Sequence, residues 1–428
     1  MLKLPGEGKF IRLCGLFRGG GAQVGWIEER EIDPGRRAKD EPRPIRPTYS
    51  NIQSTNRMKS HLLIPTLLLC LPQLVVAQEV SPDMTPDTQL VPGEQHMLFS
   101  FPGYVAQPDG MALDRAGNVY VSNPSFSNPD YPALILKITP DYTYSVAYTT
   151  PAHPDTKDSG PMGMSFGEDG NLYIADNQYN SSTAYASRIL RMNFEGGEPT
   201  GIDVVVTGLK HPNAVRWHEG ALYVTDTKWE IEDSANTSGI WRFPAADLAD
   251  SIHVEASMDA QYLIDTLHAI RQPNGKAMGA DGMDFDSEGN MFVGMFSDGR
   301  VFKFAMQEDG TVASRKVFVA YGTIPSCDGI FIDRNTDNLF IADSEANAIR
   351  IVEPDGTLHT LAENGDTDGS DGRMDQPCEP LLVGNKLYVA NYDQPNDGFV
   401  NSGYDKVHNM TVIQVPAEYL NVRVGDKR

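Results

Sequence analysis

One phrase recurs six times along this chain, and it constrains the fold more than any other feature. The phrase is a turn pair, a short apolar strand, an acidic or Gly-Asn turn, a second strand ending in a polar residue, and a third strand after a loop. Its copies begin at Asp109 (PDGMALDRAGNVYVSN), Met162 (PMGMSFGEDGNLYIADN), Asn213 (PNAVRWHEGALYVTDT), Asp281 (ADGMDFDSEGNMFVGM), Asp328 (CDGIFIDRNTDNLFIADS) and Glu379 (CEPLLVGNKLYVANYD). Successive copies lie 53, 51, 68, 47 and 51 residues apart, and 49 residues follow the last start. A fixed period of this size is the mark of a repeat architecture.

A single hairpin cannot bury its apolar face, whereas sheets packed around an axis can, leaving only short protected edges. The period therefore predicts an all-β fold, a six-bladed β-propeller with four antiparallel strands per blade, over residues 78–428. Turns such as Ala116-Gly117-Asn118 and Asp169-Gly170-Asn171 carry the chemistry that joins antiparallel strands. The long interval between Asn213 and Asp281 reads as an insertion over 244–279, including a helix-capable stretch from Met258 to Arg271. After Glu379 the last copy lacks an outer strand, and Gln95 to Phe101 is placed to supply it and close the ring. A β-sandwich is the competing architecture, and it leaves the regular spacing unexplained.

The N-terminal part has a different character. Residues 1–57 are basic and Gly/Pro-rich, and they read as an over-extended or disordered N-terminus. Residues 58–77 read as a signal peptide: Lys59 precedes an apolar run from Leu62 to Leu71, and Val75-Val76-Ala77 offers small residues for cleavage. That run is short and broken by Pro65 and Pro72, so stable membrane insertion is not expected. The expected location is secreted or periplasmic. Without residues 1–77 the chain has 23 Lys/Arg against 51 Asp/Glu. So acidic a surface repels nucleic acid and attracts cations. A monomer is expected.

In a propeller the six repeat starts should converge around the mouth of the central channel. Asp109, Asn213, Asp281, Asp328 and Glu379 would then form a ring of oxygen donors, with Met162 as the exception. Carboxylates gathered this way repel one another unless a cation sits among them. An all-oxygen set points to Ca²⁺ first, with Mg²⁺, Mn²⁺ or Zn²⁺ as alternatives. Asp-Gly and Asn at strand starts also serve as plain turn residues, a reading that stays open for each of them.

The loops after the second strands are unequal. Long polar and aromatic ones in blades 1, 2, 3 and 6 hold Tyr131, Tyr179, Tyr185, Trp229, Tyr392 and Tyr404. Trp229, Tyr179 and Tyr392 are the expected rim of a ligand cleft above the channel. His153 and His211 precede ring residues, but loop histidines are commonplace. Cys327 and Cys378 each precede a ring residue in adjacent blades, and equal register would suit a disulfide.

The phrases PDGMALDRAGNVYV, HPNAVRWHEGALYVTD and ADGMDFDSEGNMFVGMFSDGRVFKF resemble the gluconolactonase/regucalcin-like family, six-bladed propellers with kinship to NHL-repeat proteins. The resemblance spans about residues 95–415. It implies a divalent cation held in the channel by a Glu, two Asn and an Asp, and hydrolysis of sugar lactones. Carried over by position, Asn213 matches the second Asn, Asp281 the Asp, and Glu379 the Glu when the ring is read cyclically. Met162 stands where the first Asn belongs, and a thioether is a poor ligand for a hard cation.

The implied activity is a metal-dependent hydrolase of lactones or related small-molecule esters, with Asp281 as ligand and catalytic residue. Two alternatives remain at this stage. One is a non-catalytic NHL-like propeller binding a protein or glycan, and the other a strictosidine-synthase-like propeller enzyme.

Overall fold

The computed structural model describes residues 2–3, 10–11 and 79–421, except 125, 127, 232–234, 395–397 and 404–407. In the unit spanning Met1–Leu68, Leu2–Lys3 pairs antiparallel with Phe10–Ile11. The signal peptide expected over 58–77 and the rest of 1–57 lie outside the described residues. No described helix is long and apolar enough to cross a membrane.

The second unit, Leu69–Arg428, contains the six blades. Their inner strands are Met111–Leu113, Pro161–Phe166, Pro212–His218, Ala280–Phe285, Ile330–Asp333 and Pro377–Val383. Each inner strand packs against the next, and the sixth packs against the first, so the ring is closed. Second strands such as Leu172–Asp176, Ala221–Asp226 and Asn338–Asp343 are buried along their whole length. They read as continuous apolar runs because blades cover both of their faces. The core accordingly lies between blades, in clusters such as Met164, Leu172 and Ile174 of blade 2 with Tyr120 and Ile135 of blade 1.

The closing strand sits where the sequence places it. Gln95–Phe101 pairs antiparallel with His408–Gln414 as the outer strand of blade 6, joining the two ends of the propeller. Two blades carry a fifth strand. Glu79–Val80 extends blade 1, and Ile252–His253 pairs parallel with Glu198–Leu209 of blade 2.

The interval between blades 3 and 4 departs from expectation. Met258 to Arg271 forms no helix; Leu263–His268 within it is the outer strand of blade 3, paired with Thr237–Pro244. A blade without that strand would leave an open edge. Arg315 of blade 4 also holds Asp265 at 2.8 Å. Only the remaining residues, with the 3₁₀ turn Asp247–Ala249, are surplus to the four-stranded pattern.

Candidate functional site

In blades 1, 2, 3 and 5 the polar residue that ends the second strand has a local task. Asn123 Oδ1 accepts the Gln107 N–H at 2.9 Å and Asp176 Oδ1 that of Gly160 at 2.7 Å. Asp226 accepts the N–H groups of Lys210 and His211, and Asp343 that of Ser326 at 3.0 Å. Every one of these donors lies just ahead of an inner strand. Arg188 and Arg350, from the third strands, brace Asp176 and Asp343. Blade 4 has Met295 at the cap position, and Ser297 takes over by accepting the Met278 N–H at 2.8 Å. Burial pushes the Asp226 carboxyl up to about 6.

Counting from these caps fixes the ring. The cap residue pairs with Pro161 in blade 2, Pro212 in blade 3, Ala280 in blade 4 and Pro377 in blade 6. The next residue at each place, carried by a β-bulge, is Met162, Asn213, Asp281 and Cys378. Asp109 and Asp328 occupy the same step in blades 1 and 5, through N–H bonds to Ser122 O at 2.9 Å and Ala342 O at 3.0 Å. The sixth ring residue is therefore Cys378, one place before the expected Glu379. All six line a single cavity of about 200 Å³ at the channel mouth, and Glu379 does not.

That slip re-aims the side chain, because neighbouring strand residues face opposite ways. Glu379 falls on the step that holds Gly110, Gly163, Ala214, Gly282 and Gly329 elsewhere. Glycine there lets adjacent inner strands touch: a Cβ on Gly282 would lie 2.4 Å from Asp328 O, and one on Gly329 would lie 1.9 Å from Glu379 Oε2. The Glu379 carboxylate thus crosses over Gly329 and meets Arg216 Nη2 at 2.7 Å, deeper in the channel. Arg216 also donates to Ile330 O at 3.2 Å and Val215 O at 3.0 Å. Asp284 joins this layer, 4.0 Å from Arg216 and 2.9 Å from Arg334.

At the mouth the acids have no such partners. The side chains of Asp328 and Asn213 lie beside Asp281 and favour its charged form, against the larger effect of burial. Ser344 Oγ donates to Asp328 Oδ2 at 2.8 Å. Asp109 Oδ2 is buried with no hydrogen-bond partner among the described residues. Burial first, and then mutual repulsion, push Asp109, Asp281 and Asp328 well above the ordinary carboxylate range.

Four of the five expected metal ligands, Asn213, Asp281, Asp109 and Asp328, are brought together, and the fifth, Glu379, is withdrawn. Among the described residues no three His, Cys, Asp or Glu side chains already form a cage. The chemistry of the donor set nonetheless suits a hard cation, since three carboxylates and an amide face the cavity and one carboxylate oxygen is orphaned. Burial also raises the Cys378 thiol, so it faces the cavity as a neutral S–H.

The register difference also corrects the expected disulfide. Cys327 is one step before the ring and Cys378 is in it, so the two side chains leave their strands on opposite faces. Both are free buried thiols. Cys378 Sγ donates to Pro108 O at 3.4 Å and Ala390 O at 3.3 Å, while Cys327 Sγ packs over Gly294 of blade 4.

Of the expected rim, Tyr179 and Tyr392 line the cavity. Trp229 does not: it is fully buried in the blade 3 core, with Trp241 at 4.7 Å and Tyr185 at 5.5 Å. Indole is apolar enough that the loop after the second strand folds it inward. Tyr404 lies outside the described residues. His153 is held in a local turn, its Nδ1 accepting the Asp155 N–H at 3.1 Å. His211 lines the cavity beside Tyr179, 5.0 Å between ring centroids, and burial lowers its imidazole to about 4.

Sequence reasoning missed Asn177, Thr227 and Phe296, which also line the cavity. The signal that finds them is register. Pro124, Asn177, Thr227, Phe296, Ser344 and Tyr392 each follow the second-strand cap position in their blades.

The fold is similar to that of several solved structures. A luciferin-regenerating enzyme superposes with a TM-score of 0.50 at 13% identity, over 74% of this chain and 94% of that one. A gluconolactonase from Xanthomonas campestris gives 0.49 at 12% identity, over 81% and 99%. A calcium-binding regucalcin from Agrobacterium tumefaciens gives 0.49 at 13%, over 75% and 94%. No protein-family model and no curated protein sequence matches the chain.

Proposed function

We propose that this propeller is a hydrolase of lactones or related small esters, working at the channel mouth with a divalent cation, Ca²⁺ first among candidates. One observation carries the reading: three buried carboxyls, Asp109, Asp281 and Asp328, converge with Asn213 on one cavity, and among the described residues none of them is paired with a lysine or arginine. Buried acids without a counter-charge are costly, and sites that bind a cation retain them.

Asn213, Asp281 and Asp328 would hold the ion from consecutive blades, with Asp109 facing them from blade 1. When bound, a divalent cation supplies Lewis-acid polarisation of a carbonyl oxygen. Asp281 directs a water toward the carbonyl carbon, and the aromatic walls Tyr179, Phe296 and Tyr392 exclude bulk solvent. Glu379 has no part in this, because Arg216 holds it.

The test is turnover of a panel of sugar lactones and aryl esters by the full chain, with and without chelator. Chelator-sensitive hydrolysis restored by Ca²⁺ is the expected result. Hydrolysis indifferent to chelator would remove the cation from the account. A non-catalytic binding propeller is the second reading. The sulfur side chains Met162 and Cys378 at two of six ring positions favour it, and absence of turnover across the panel would select it.

A further inference from the structure

The cavity at the channel mouth combines two kinds of surface. Acids supply the first: Asp109, Asp281 and Asp328 border it, and among the described residues no lysine or arginine does. Aromatic side chains supply the second, with Tyr179 from blade 2, Phe296 from blade 4 and Tyr392 from blade 6. The two surfaces differ in what a ligand can reach. Asp109 and Asp281 are 6% and 5% exposed, whereas Tyr179 is 47% exposed and Phe296 and Tyr392 are half-buried. A ligand in the cavity therefore meets aromatic surface, with buried negative charge close by. Burial first, and then the nearby acids with Asp109 foremost, push the Tyr392 hydroxyl well above the ordinary phenol range. Lys228 Nζ lies 6.0 Å from the Tyr179 ring centroid, so the side of Phe296 and Tyr392 is the more negative end.

The charge imbalance persists with a divalent cation in place. Asp281 and Asp328 would offset the two charges of the ion, and Asp109 would remain as an uncompensated negative charge. Its Oδ2 has no hydrogen-bond partner among the described residues. A carboxylate in a low-dielectric wall acts across several ångströms without contact, and aromatic faces attract a cation through their quadrupoles. An organic cation gains from both. A primary ammonium would surrender its bonds to water without reaching the buried carboxylate oxygens, whereas a quaternary ammonium has no N–H to satisfy.

We infer that the cavity selects esters whose alcohol part carries a quaternary ammonium group, with the cationic head against Phe296 and Tyr392 in the field of Asp109. This deepens the hydrolase reading and rests on it for the reacting bond. The oxygen of a water joins the carbonyl carbon, the ester C–O bond breaks, and the alcohol leaves with a proton from that water.

The experiment compares acetylcholine with 3,3-dimethylbutyl acetate, the neutral ester of the same shape, using the full chain and Ca²⁺. The wild-type protein should favour acetylcholine in kcat/KM by about tenfold or more. Asp109→Asn keeps the side-chain shape and removes the charge, and Phe296→Leu removes an aromatic face. Each should cut that preference about fivefold or more, in protein whose Tm shows it folded.

A wild-type preference below about twofold, or a preference unchanged in both variants, overturns the inference. If neither ester is hydrolysed, the panel of lactones and aryl esters decides the hydrolase reading, and the cation pocket is decided separately by calorimetry. Choline that binds more tightly than 3,3-dimethylbutanol, and less tightly to Asp109→Asn than to wild type, supports the pocket. Equal or absent binding of the two alcohols, or choline binding unchanged in Asp109→Asn, overturns it.

Discussion

The two levels of the channel use the same residue types to opposite ends. At the deeper level every acid has a cation: Glu379 meets Arg216, and Asp284 meets Arg334. At the mouth, among the described residues, Asp109, Asp281 and Asp328 lie beside one another, Asn213, the Cys378 thiol and a serine hydroxyl, with no cation. Glu379 lies one step beyond the ring residue of its strand, and Asp284 and Arg216 lie three steps beyond theirs. A carboxylate on the ring step faces the cavity, while one residue further it faces a guanidinium across the channel. Charge alone therefore does not mark a site; the unpaired acids do, because burial makes them unfavourable without a ligand.

The comparison breaks most visibly if the deeper layer proves dispensable. Arg216→Met strands a buried Glu379, and the loss in urea unfolding should be about 3–5 kcal/mol. Adding Glu379→Leu should recover most of it, as replacing both partners of a buried pair costs little. An Arg216→Met protein as stable as wild type would contradict the pairing.

At the mouth the expected effect is on function. Asp281→Ala should lower cation-dependent hydrolysis by at least about a hundredfold. Its Tm without Ca²⁺ should match or exceed that of the parent, since one of three repelling carboxyls is gone. Full activity in the variant would remove the mechanism.

A third prediction concerns the caps. The folded Asp226 carboxyl titrates at about 6, above the ~3.9 of an unfolded aspartate, so the folded state favours the protonated form. Its contribution is fully present below the unfolded value and is lost as pH rises through about 6. Stability should therefore decline between pH 4 and 7 by on the order of 2 kcal/mol from this group. Asp226→Asn should flatten that part of the pH profile, and an unchanged slope in the variant would assign it elsewhere.

The smallest effect is a null one. Reductant should move the Tm by less than about 1 °C, because no disulfide joins Cys327 to Cys378, whereas losing a structural disulfide typically costs 2–5 kcal/mol.

Period and turn chemistry made the propeller legible in the sequence, down to the strand Gln95–Phe101 that closes it. The site was legible in part. Asp109, Asn213, Asp281 and Asp328 follow from register alone. Glu379 was misread because C-E-P and C-D-G look like the same phrase, and only strand pairing reveals that the phrase slips by one residue in blade 6. The expected disulfide failed for the same reason. Trp229 illustrates a different limit, since a loop position does not reveal whether an aromatic side chain turns out or in. Asn177 and Thr227 carry no chemical signature of their own, and register alone places them on the cavity wall.

The most direct test of the division between mouth and deeper channel is Ca²⁺ titration by calorimetry on three forms of the full chain: wild type, Asp281→Asn/Asp328→Asn, and Arg216→Met/Glu379→Leu. The account predicts one bound ion in the wild type, none in the mouth variant, and one in the deeper-channel variant. Binding that survives loss of Asp281 and Asp328, or that disappears with Glu379, would contradict it.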